Sequence, residues 1–201
     1  MAEKLRALVD ALAELYEAEG RPGGTEVAEA LRKHRDDRAH DVASATGVDD
    51  QIRALCGQPD ALPAARAAAE AWDLLPWHHS GLSDGRIPAE IATGMLTCEI
   101  LGDRGPLKCD TCRVGLFAQT AGVDYASRTH AAEETFITLA GQGEWRLMPG
   151  EWFTLGPGEA THHPSWVEHQ SRSLNHAFLA AWRWTGDIGL KTYKYTGKAD
   201  T

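Results

Sequence analysis

The sequence predicts a mainly β protein in which a β-barrel follows an α-helical N-terminal segment. Apolar residues recur at helical spacing up to about residue 75, which is the first observation. From Ile91 onwards the chain changes to short strand-like runs separated by turn residues, which is typical of a barrel or sandwich. We therefore expect a helical segment over residues 1–75, packed on a barrel over residues 76–201.

The helical segment is expected to contain four helices and no spaced set of metal-ligating residues. Residues 73–90, including His78 and His79, are predicted to be a linker with turns. The predicted helices are residues 4–19 ending at Gly20, residues 25–36 capped by Thr25, a short helix capped by Asp49 or Asp50, and one opened by Pro63 and running to Trp72.

Nine strands are predicted after the linker, and nothing after Trp184 has a helical pattern. Gly141–Gly143 and Pro149–Gly150 are expected to be hairpin turns, and Tyr193 and Tyr195 to close an edge or cover the barrel mouth. The predicted strands are residues 92–101, 112–119, 124–128, 135–140, 143–148, 151–155, 160–163, 168–172 and 177–184.

Composition excludes several classes of protein. The formal net charge of −9 argues against nucleic acid and against anionic membranes as partners. No apolar run is long enough to span a membrane, and the N-terminus lacks the pattern of a secretory signal. Four cysteines make no disulfide framework in a chain of 201 residues, which favours the cytoplasm. We expect a small-molecule substrate and a monomer or homodimer.

Cys109 and Cys112 form a single C-x2-C pair. A structural zinc site would need a second pair of ligands, and none follows at a suitable spacing. A redox pair would be expected before a helix, whereas a strand is predicted here. We interpret the pair as two thiols in a turn.

His130 and Glu134 are the strongest candidates for metal ligands. Residues four apart on an extended chain face the same side, and a bend at Ala131 and Ala132 would bring the two groups to one point. A later hairpin can supply a third ligand, for which we prefer His169 because it begins a strand after a turn. His162 or His163 remains an alternative, with a turn role or a role behind the ligands as the default. Two imidazoles and a carboxylate suit one divalent transition metal.

Residues 122–141 and 150–173 resemble the two motifs of the cupin superfamily. Within that superfamily, four features of the chain resemble the dimethylsulfoniopropionate lyases of the DddQ type. They are Tyr125, the run from His130 to Glu134, Gly141-x-x-Glu-Trp-Arg and His-His-Pro-Ser-x-x-x-His. The resemblance implies a cupin double-stranded β-helix barrel. It also implies cleavage of dimethylsulfoniopropionate to dimethyl sulfide and acrylate at a metal ion, with zinc, iron, manganese and nickel all acceptable.

The chain departs from that pattern at two positions. Arg128 stands where the family has the first histidine of His-x-His, so three protein ligands are expected. Phe136 replaces a family tyrosine near the metal, which makes Tyr125 our candidate for the catalytic base, with a pKa lowered by a nearby cation. The expected substrate-binding residues are Arg128, Phe136, Trp182 and Trp184. The two tryptophans share one face of the last strand, and whether that face points inward or packs elsewhere stays open.

Two other functions remain open on the sequence. One is a different metal-dependent cupin enzyme, an oxygenase or isomerase acting on a small organic acid, which the phenylalanine at position 136 favours. The other is a cupin that binds a ligand without catalysis.

Overall fold

A computed structural model describes residues 3–40, 50–79 and 88–197 of the chain. Its helices lie almost entirely in the N-terminal part, and a short 3₁₀ helix, Trp72–Leu74, extends the fourth of them. No helix in the described residues is long and apolar enough to cross a membrane. The α-helices are α1 (Glu3–Glu17), α2 (Pro22–His34), α3 (Asp50–Leu55), α4 (Pro63–Ala71) and α5 (Ala89–Thr93).

The strands form two sheets that face each other as the walls of a barrel. In chain order they are β1 (His78–His79), β2 (Met95–Leu101), β3 (Arg113–Gln119), β4 (Val123–Thr129), β5 (Ala132–Gly141), β6 (Gly143–Leu147), β7 (Phe153–Leu155), β8 (Ala160–His163), β9 (His169–Ser173), β10 (Phe178–Gly186) and β11 (Lys194–Tyr195). One sheet has the order β1-β2-β3-β10-β5-β8, and the other has the order β11-β4-β9-β6-β7. All named strand pairs are antiparallel.

Alternating residues of β10 show how the six-stranded sheet separates two cores. Phe178 and Ala180 belong to the barrel interior, where they meet residues of the other sheet such as Trp145. Leu179 and Ala181 belong to the second core, between the sheet and the helices. Because successive strand residues point to opposite faces, one strand contributes to both cores. The predicted mainly β fold with a helical N-terminal segment is confirmed.

A buried ion pair joins the helical segment to the outer face of the barrel. Arg183 of β10 is fully buried, and its Nε and Nη2 donate to Glu19, just after α1, at 2.7 and 2.6 Å. Nη2 also lies 3.3 Å from a carboxylate oxygen of Glu133. The hydroxyl of Thr135 donates to Glu19 at 2.7 Å. The charges are thus paired and hydrogen-bonded, which burial of a guanidinium requires.

The second helix begins earlier than the sequence indicated. It starts at Pro22, with Arg21 as the N-cap residue, and Thr25 lies inside it. Proline is tolerated in the first helical turn because its missing N–H has no partner there anyway. Gly23 packs against the Arg183 guanidinium, where an added Cβ would lie 2.5 Å from Nη1. Tertiary packing therefore outweighs the low helix propensity of the two glycines.

Three other elements differ from the prediction. Ala92 and Thr93 end helix α5, and the strand predicted from residue 92 begins at Met95. His78 and His79, predicted in a linker, pair with β2. A 3₁₀ helix, Leu190–Thr192, follows the last long strand, where no helical structure was predicted. Asp49 and residues 80–87 of the predicted linker lie outside the described residues.

Candidate metal centre

Neighbouring strands bring the predicted ligands together near one end of the barrel. Glu134 lies on β5 opposite Trp184 of β10 on one side and His163 of β8 on the other. His169 begins β9 in the facing sheet, opposite Leu147 of β6. His130 lies between β4 and β5, where the chain passes from one sheet to the other and bends at Ala131.

Three hydrogen bonds hold the β8–β9 loop against the segment around His130. The Trp166 N–H donates to the His130 carbonyl at 2.8 Å, and the Ser165 hydroxyl donates to the Ala131 carbonyl at 2.6 Å. The Thr129 hydroxyl donates to the Trp166 carbonyl at 2.8 Å. These bonds fix the distance between the β8–β9 loop and the segment around His130, which are far apart in the chain.

The candidate ligand atoms converge on one oxygen of Glu134. The Nε2 atoms of His130 and His169 lie 3.2 and 3.4 Å from its Oε2. One ligand atom from each of these three residues lies within 4.8 Å of the others, and all three side chains are buried. The second oxygen, Oε1, accepts a hydrogen bond of 2.6 Å from Trp184 Nε1. Glu134 is therefore held so that Oε2 faces the imidazoles.

Each candidate imidazole directs the same nitrogen towards the centre. Nδ1 of His130 lies 3.0 Å from the Ala132 carbonyl, and Nδ1 of His169 lies 3.1 Å from the Val167 carbonyl. A carbonyl only accepts, so each Nδ1 carries a proton and each Nε2 is the nitrogen that faces the centre. Nε2 of His130 is hydrogen-bonded there to Glu134 Oε2. Among the residues that the structure describes, Nε2 of His169 is buried and has no hydrogen-bond partner. A backbone carbonyl on the far nitrogen is the usual arrangement behind metal-bound histidines.

The protonation states of Glu134 and His169 also suit the binding of a cation between them. Burial raises the pKa of Glu134, but His130 and His163 outweigh it and hold that pKa well below its usual range. Burial, together with nearby His163 and Arg128, lowers the pKa of His169 well below its usual range. An ionised carboxylate and a neutral imidazole are the forms that bind metals. The buried group therefore fits a single metal ion.

His162 and His163 point to opposite faces of β8. His163 is fully buried, with Nδ1 2.9 Å from Glu134 Oε2 and Nε2 3.2 Å from the Thr161 hydroxyl. His162 is on the outer side, with Nδ1 3.2 Å from the Thr135 hydroxyl. Both ring nitrogens of His163 thus have partners, whereas His169 has an unpartnered Nε2.

Tyr125 lies beside a cation and a second tyrosine. The Arg128 guanidinium is 3.9 Å from the centroid of the Tyr125 ring and donates to Ser171 Oγ at 3.3 Å. The hydroxyl of Tyr125 contacts the hydroxyl of Tyr193, and the Tyr193 ring stacks on His130 with centroids 5.8 Å apart. Burial raises the pKa of Tyr125 by more than Arg128 and Tyr193 lower it. The expectation of a lowered pKa is wrong, because desolvation exceeds the effect of the cation.

The aromatic residues expected to bind substrate face the barrel interior. Trp184 lies 4.5 Å from His130 between ring centroids, and Trp182 lies 6.2 Å from Trp184. Phe136 packs on Trp145 and Phe117 with centroids 4.6 and 5.6 Å away. Trp182 is half-buried, whereas Phe136 and Trp184 are buried. The face shared by the two tryptophans therefore points inward.

A model of the DMSP lyase (dimethylsulfoniopropionate lyase) family matches residues 25–180 of this chain. The chain belongs to the DMSP lyase family. DMSP lyase DddQ of Ruegeria pomeroyi is 33% identical to it over 89 residues, which is 44% of this chain and 44% of that protein. The match thus spans less than half the length of that curated relative.

Two solved structures share the fold over almost the whole chain. The DMSP lyase DddQ of Ruegeria pomeroyi has a TM-score of 0.69 and 24% identity, covering 97% of this chain and 98% of that one. A chain from the structures of the DMSP lyases RdDddP and RnDddQII has a TM-score of 0.69 and 21% identity, covering 96% and 97%. The predicted cupin barrel with its helical N-terminal segment is thus the fold of this DMSP lyase family member.

The sequence did not predict the contacts that Tyr193 and Trp184 make at the candidate metal centre. Tyr193 was expected only at an edge or the mouth, and the Trp184 indole was considered only as an aromatic face. The 3₁₀ helix before Tyr193 has no recognisable signal in the sequence, so its contact with His130 was not predictable. The parity of Trp184 on the last strand was the only signal for its contact with Glu134.

The acid stability of this family member provides a first test of the centre. Burial lowers the pKa of His163 to about 4. Unfolded imidazole has a pKa near ~6.5, so the unfolded state binds more protons between these values. We expect the free energy of unfolding of metal-free protein to fall by roughly 3 kcal/mol from about pH 6.5 to pH 4 through this group alone.

Urea denaturation followed by circular dichroism across this pH range measures the effect. The variant His163→Gln should show a flatter pH dependence, because its buried side chain has no imidazole to protonate. His176→Gln, which changes an exposed histidine between β9 and β10, is the matched control and should behave like the parent. An unchanged slope in His163→Gln would contradict the assignment.

Proposed function

We propose that this protein is a metal-dependent carbon–sulfur lyase that cleaves dimethylsulfoniopropionate to dimethyl sulfide and acrylate by β-elimination. The observation that carries the proposal is the buried convergence of His130, Glu134 and His169 in a chain of the DMSP lyase family. We further propose that these three residues hold one zinc, iron, manganese or nickel ion. The protein is proposed to act in the cytoplasm as a monomer or homodimer, with residues 1–75 as a helical segment and 76–201 as the catalytic barrel.

A bound divalent ion would supply Lewis-acid chemistry by holding the substrate carboxylate and stabilising the negative charge that develops next to it. His130 and His169 offer Nε2 lone pairs for it, and Glu134 offers Oε2. Trp184 keeps the carboxylate in that orientation through its bond to Oε1.

Tyr125 is our candidate for the base that removes the proton α to the carboxylate. The electron pair of that C–H bond forms the double bond of acrylate, and the C–S bond breaks to release neutral dimethyl sulfide. Burial raises the pKa of Tyr193 well above its usual range, and the nearby Tyr125 raises it further. Tyr193 therefore keeps its proton and donates to Tyr125, which makes Tyr125 the hydroxyl of the pair that ionises first.

The proposed sulfonium site is aromatic. A sulfonium group has no hydrogen-bond donors, and an aromatic face stabilises such a cation by roughly 0.5–2 kcal/mol. Trp182 is half-buried on the inward face of β10, next to Trp184 and opposite Phe136 of β5. We assign these three rings to the sulfonium methyl groups. Arg128 is assigned to the substrate carboxylate, because its guanidinium lies 3.9 Å from the centroid of the Tyr125 ring, beside the proposed base.

The decisive experiment measures dimethyl sulfide by headspace gas chromatography. Protein reconstituted with each of the four metals should release it from dimethylsulfoniopropionate, and chelated protein should not. Adding back the metal should restore release. Metal-loaded protein that releases no dimethyl sulfide above the no-enzyme control would contradict the proposal, and oxygen consumption by the iron form with small organic acids would then indicate an oxygenase.

Replacement of Tyr125 tests the proposed base. We expect Tyr125→Phe to keep its metal and to lose ~10²–10⁴-fold in kcat, because a general base contributes about that much. In the parent protein kcat/KM should rise with pH through the neutral and alkaline range, since burial raises the pKa of Tyr125. Tyr16→Phe is the control, because the hydroxyl of Tyr16 is buried and no described residue hydrogen-bonds to it. A Tyr125→Phe variant with parental kcat would exclude the role.

A further inference from the structure

Cys109 and Cys112 lie together in the loop that precedes β3. Their Sγ atoms are 3.7 Å apart, which is van der Waals contact between two thiols. A disulfide has an S–S distance of ~2.05 Å, so the remaining gap is short. Only two residues separate the cysteines, and both thiols are free.

The two sulfurs have different surroundings. Cys109 is half-buried, and its Sγ lies 3.4 Å from the Thr111 hydroxyl. Cys112 is fully buried in the core between the sheet and the helices. An accessible thiol next to a buried one is the arrangement in which one sulfur meets a reagent and the other reacts only with its neighbour.

The surroundings also separate the acidities of the two thiols. Partial burial raises the pKa of Cys109, but hydrogen bonds from the Thr111 hydroxyl and from the backbone N–H groups of Thr111 and Cys112 outweigh it, and the net pKa is lowered. Burial raises the pKa of Cys112, and the neighbouring Cys109 thiolate and the Glu26 carboxylate of α2 raise it further. The loop thus offers Cys109 the N–H donors that a helix N-terminus provides in other redox pairs.

We propose that Cys109 and Cys112 form a reversible redox pair that reacts with small-molecule disulfides, with Cys109 as the attacking thiol and Cys112 as the resolving one. This inference is independent of the proposed lyase activity. It revises the interpretation of the pair as two thiols in a turn, because the contact between the sulfurs and the N–H donors of the loop cannot be read from the C-x2-C spacing.

The reaction balances as two thiol–disulfide exchanges. The Cys109 thiolate attacks one sulfur of the small disulfide, which forms a mixed disulfide and expels one small thiolate. Cys112 then attacks the Cys109 sulfur and expels the second small thiolate, which takes up the proton that Cys112 loses. The protein dithiol is oxidised by two electrons, and one disulfide is reduced to two thiols. Loss of the Cys109 negative charge in the first step makes ionisation of Cys112 easier.

The other two cysteines serve as internal controls. Cys56 and Cys98 are buried, and burial raises the pKa of Cys56 to about 11 and that of Cys98 further. Thiolate is the reactive form, so both should stay reduced under conditions that oxidise the pair.

The test incubates the full-length protein with oxidised and reduced glutathione at set ratios and then blocks all free thiols by alkylation in denaturant. The peptides are mapped by mass spectrometry without reduction. We expect an internal Cys109–Cys112 disulfide that reduced glutathione reverses, while Cys56 and Cys98 are alkylated. The variant Cys112→Ser should instead accumulate a glutathione mixed disulfide on Cys109. Cys109→Ser should give almost no adduct, because Cys112 is buried.

Three results would overturn the inference. One is a parent protein whose four thiols are all alkylated after oxidation. Another is a parent protein that accumulates glutathione on Cys109 without forming the internal disulfide. The last is oxidation of Cys56 or Cys98 by oxidised glutathione at the same rate as the pair. Peptide mapping of the parent protein decides the question even if a serine variant fails to fold.

Discussion

Glu134→Gln is expected to reduce metal affinity by at least ~100-fold and to abolish lyase activity with it. The carboxylate is the only anionic group in the set of three candidate ligands, and its Oε2 is the atom that the imidazoles approach. A neutral amide keeps the shape of the side chain but removes the charge that balances a divalent ion. It also leaves the Trp184 indole and His163 facing a group that does not ionise.

Metal content after dialysis, measured by inductively coupled plasma mass spectrometry, and dimethyl sulfide release are the two readouts. Glu151→Gln is the matched control, because Glu151 is exposed in the turn between β6 and β7, and it should keep both properties. His130→Ala is an independent second variant that should also lose the metal. Stoichiometric metal in both Glu134→Gln and His130→Ala would show that the ion is held elsewhere in the protein.

Arg183→Met is expected to lower the free energy of unfolding by ~3–5 kcal/mol. The substitution removes a fully buried guanidinium from the Glu19 carboxylate, whose side chain is 3% exposed. The Thr135 hydroxyl and the more distant Arg21, at 4.0 Å, still face that carboxylate. Glu133 and Thr185 lose a contact as well. Because this cluster joins the helices to the barrel, we expect the helical segment to be the part that loosens first.

Urea denaturation measured by circular dichroism gives the free energy directly. Arg172→Met is the control, since Arg172 pairs with Glu144 where both side chains are partly exposed, and it should cost no more than ~1 kcal/mol. The double variant Glu19→Met/Arg183→Met should recover much of the loss, because neither charge is then left unpaired. Equal effects of Arg183→Met and Arg172→Met would contradict a special role for the buried pair.

Local patterns were sufficient for most of the fold. Helical spacing of apolar residues predicted α1, and turn residues between short apolar runs predicted most of the strands of the barrel. Prediction failed where packing overrode local preference. Helix α2 begins at Pro22, and Gly23 next to it lies against Arg183, which is more than 150 positions away along the chain. A contact at that separation leaves no local pattern.

The candidate metal centre was predictable only as far as local spacing along the chain describes it. The spacing of His130 and Glu134, with a turn before His169, is local information, and the structure brings their ligand atoms within 4.8 Å of one another. The structure alone showed that His163 hydrogen-bonds to Glu134 and that burial raises the pKa of Tyr125. Desolvation depends on everything packed around a group, so it cannot be judged from a neighbouring arginine in the sequence.

The sequence by itself determined the class of fold, the family and the residue types offered to a metal, because periodicity and motif spacing are written along the chain. The tertiary structure decided which nitrogen of each imidazole faces the centre, which residues hold Glu134, and that Cys109 and Cys112 have their sulfurs in contact. These depend on distances between side chains from different strands and loops. Such distances exist only once the two sheets have closed on each other.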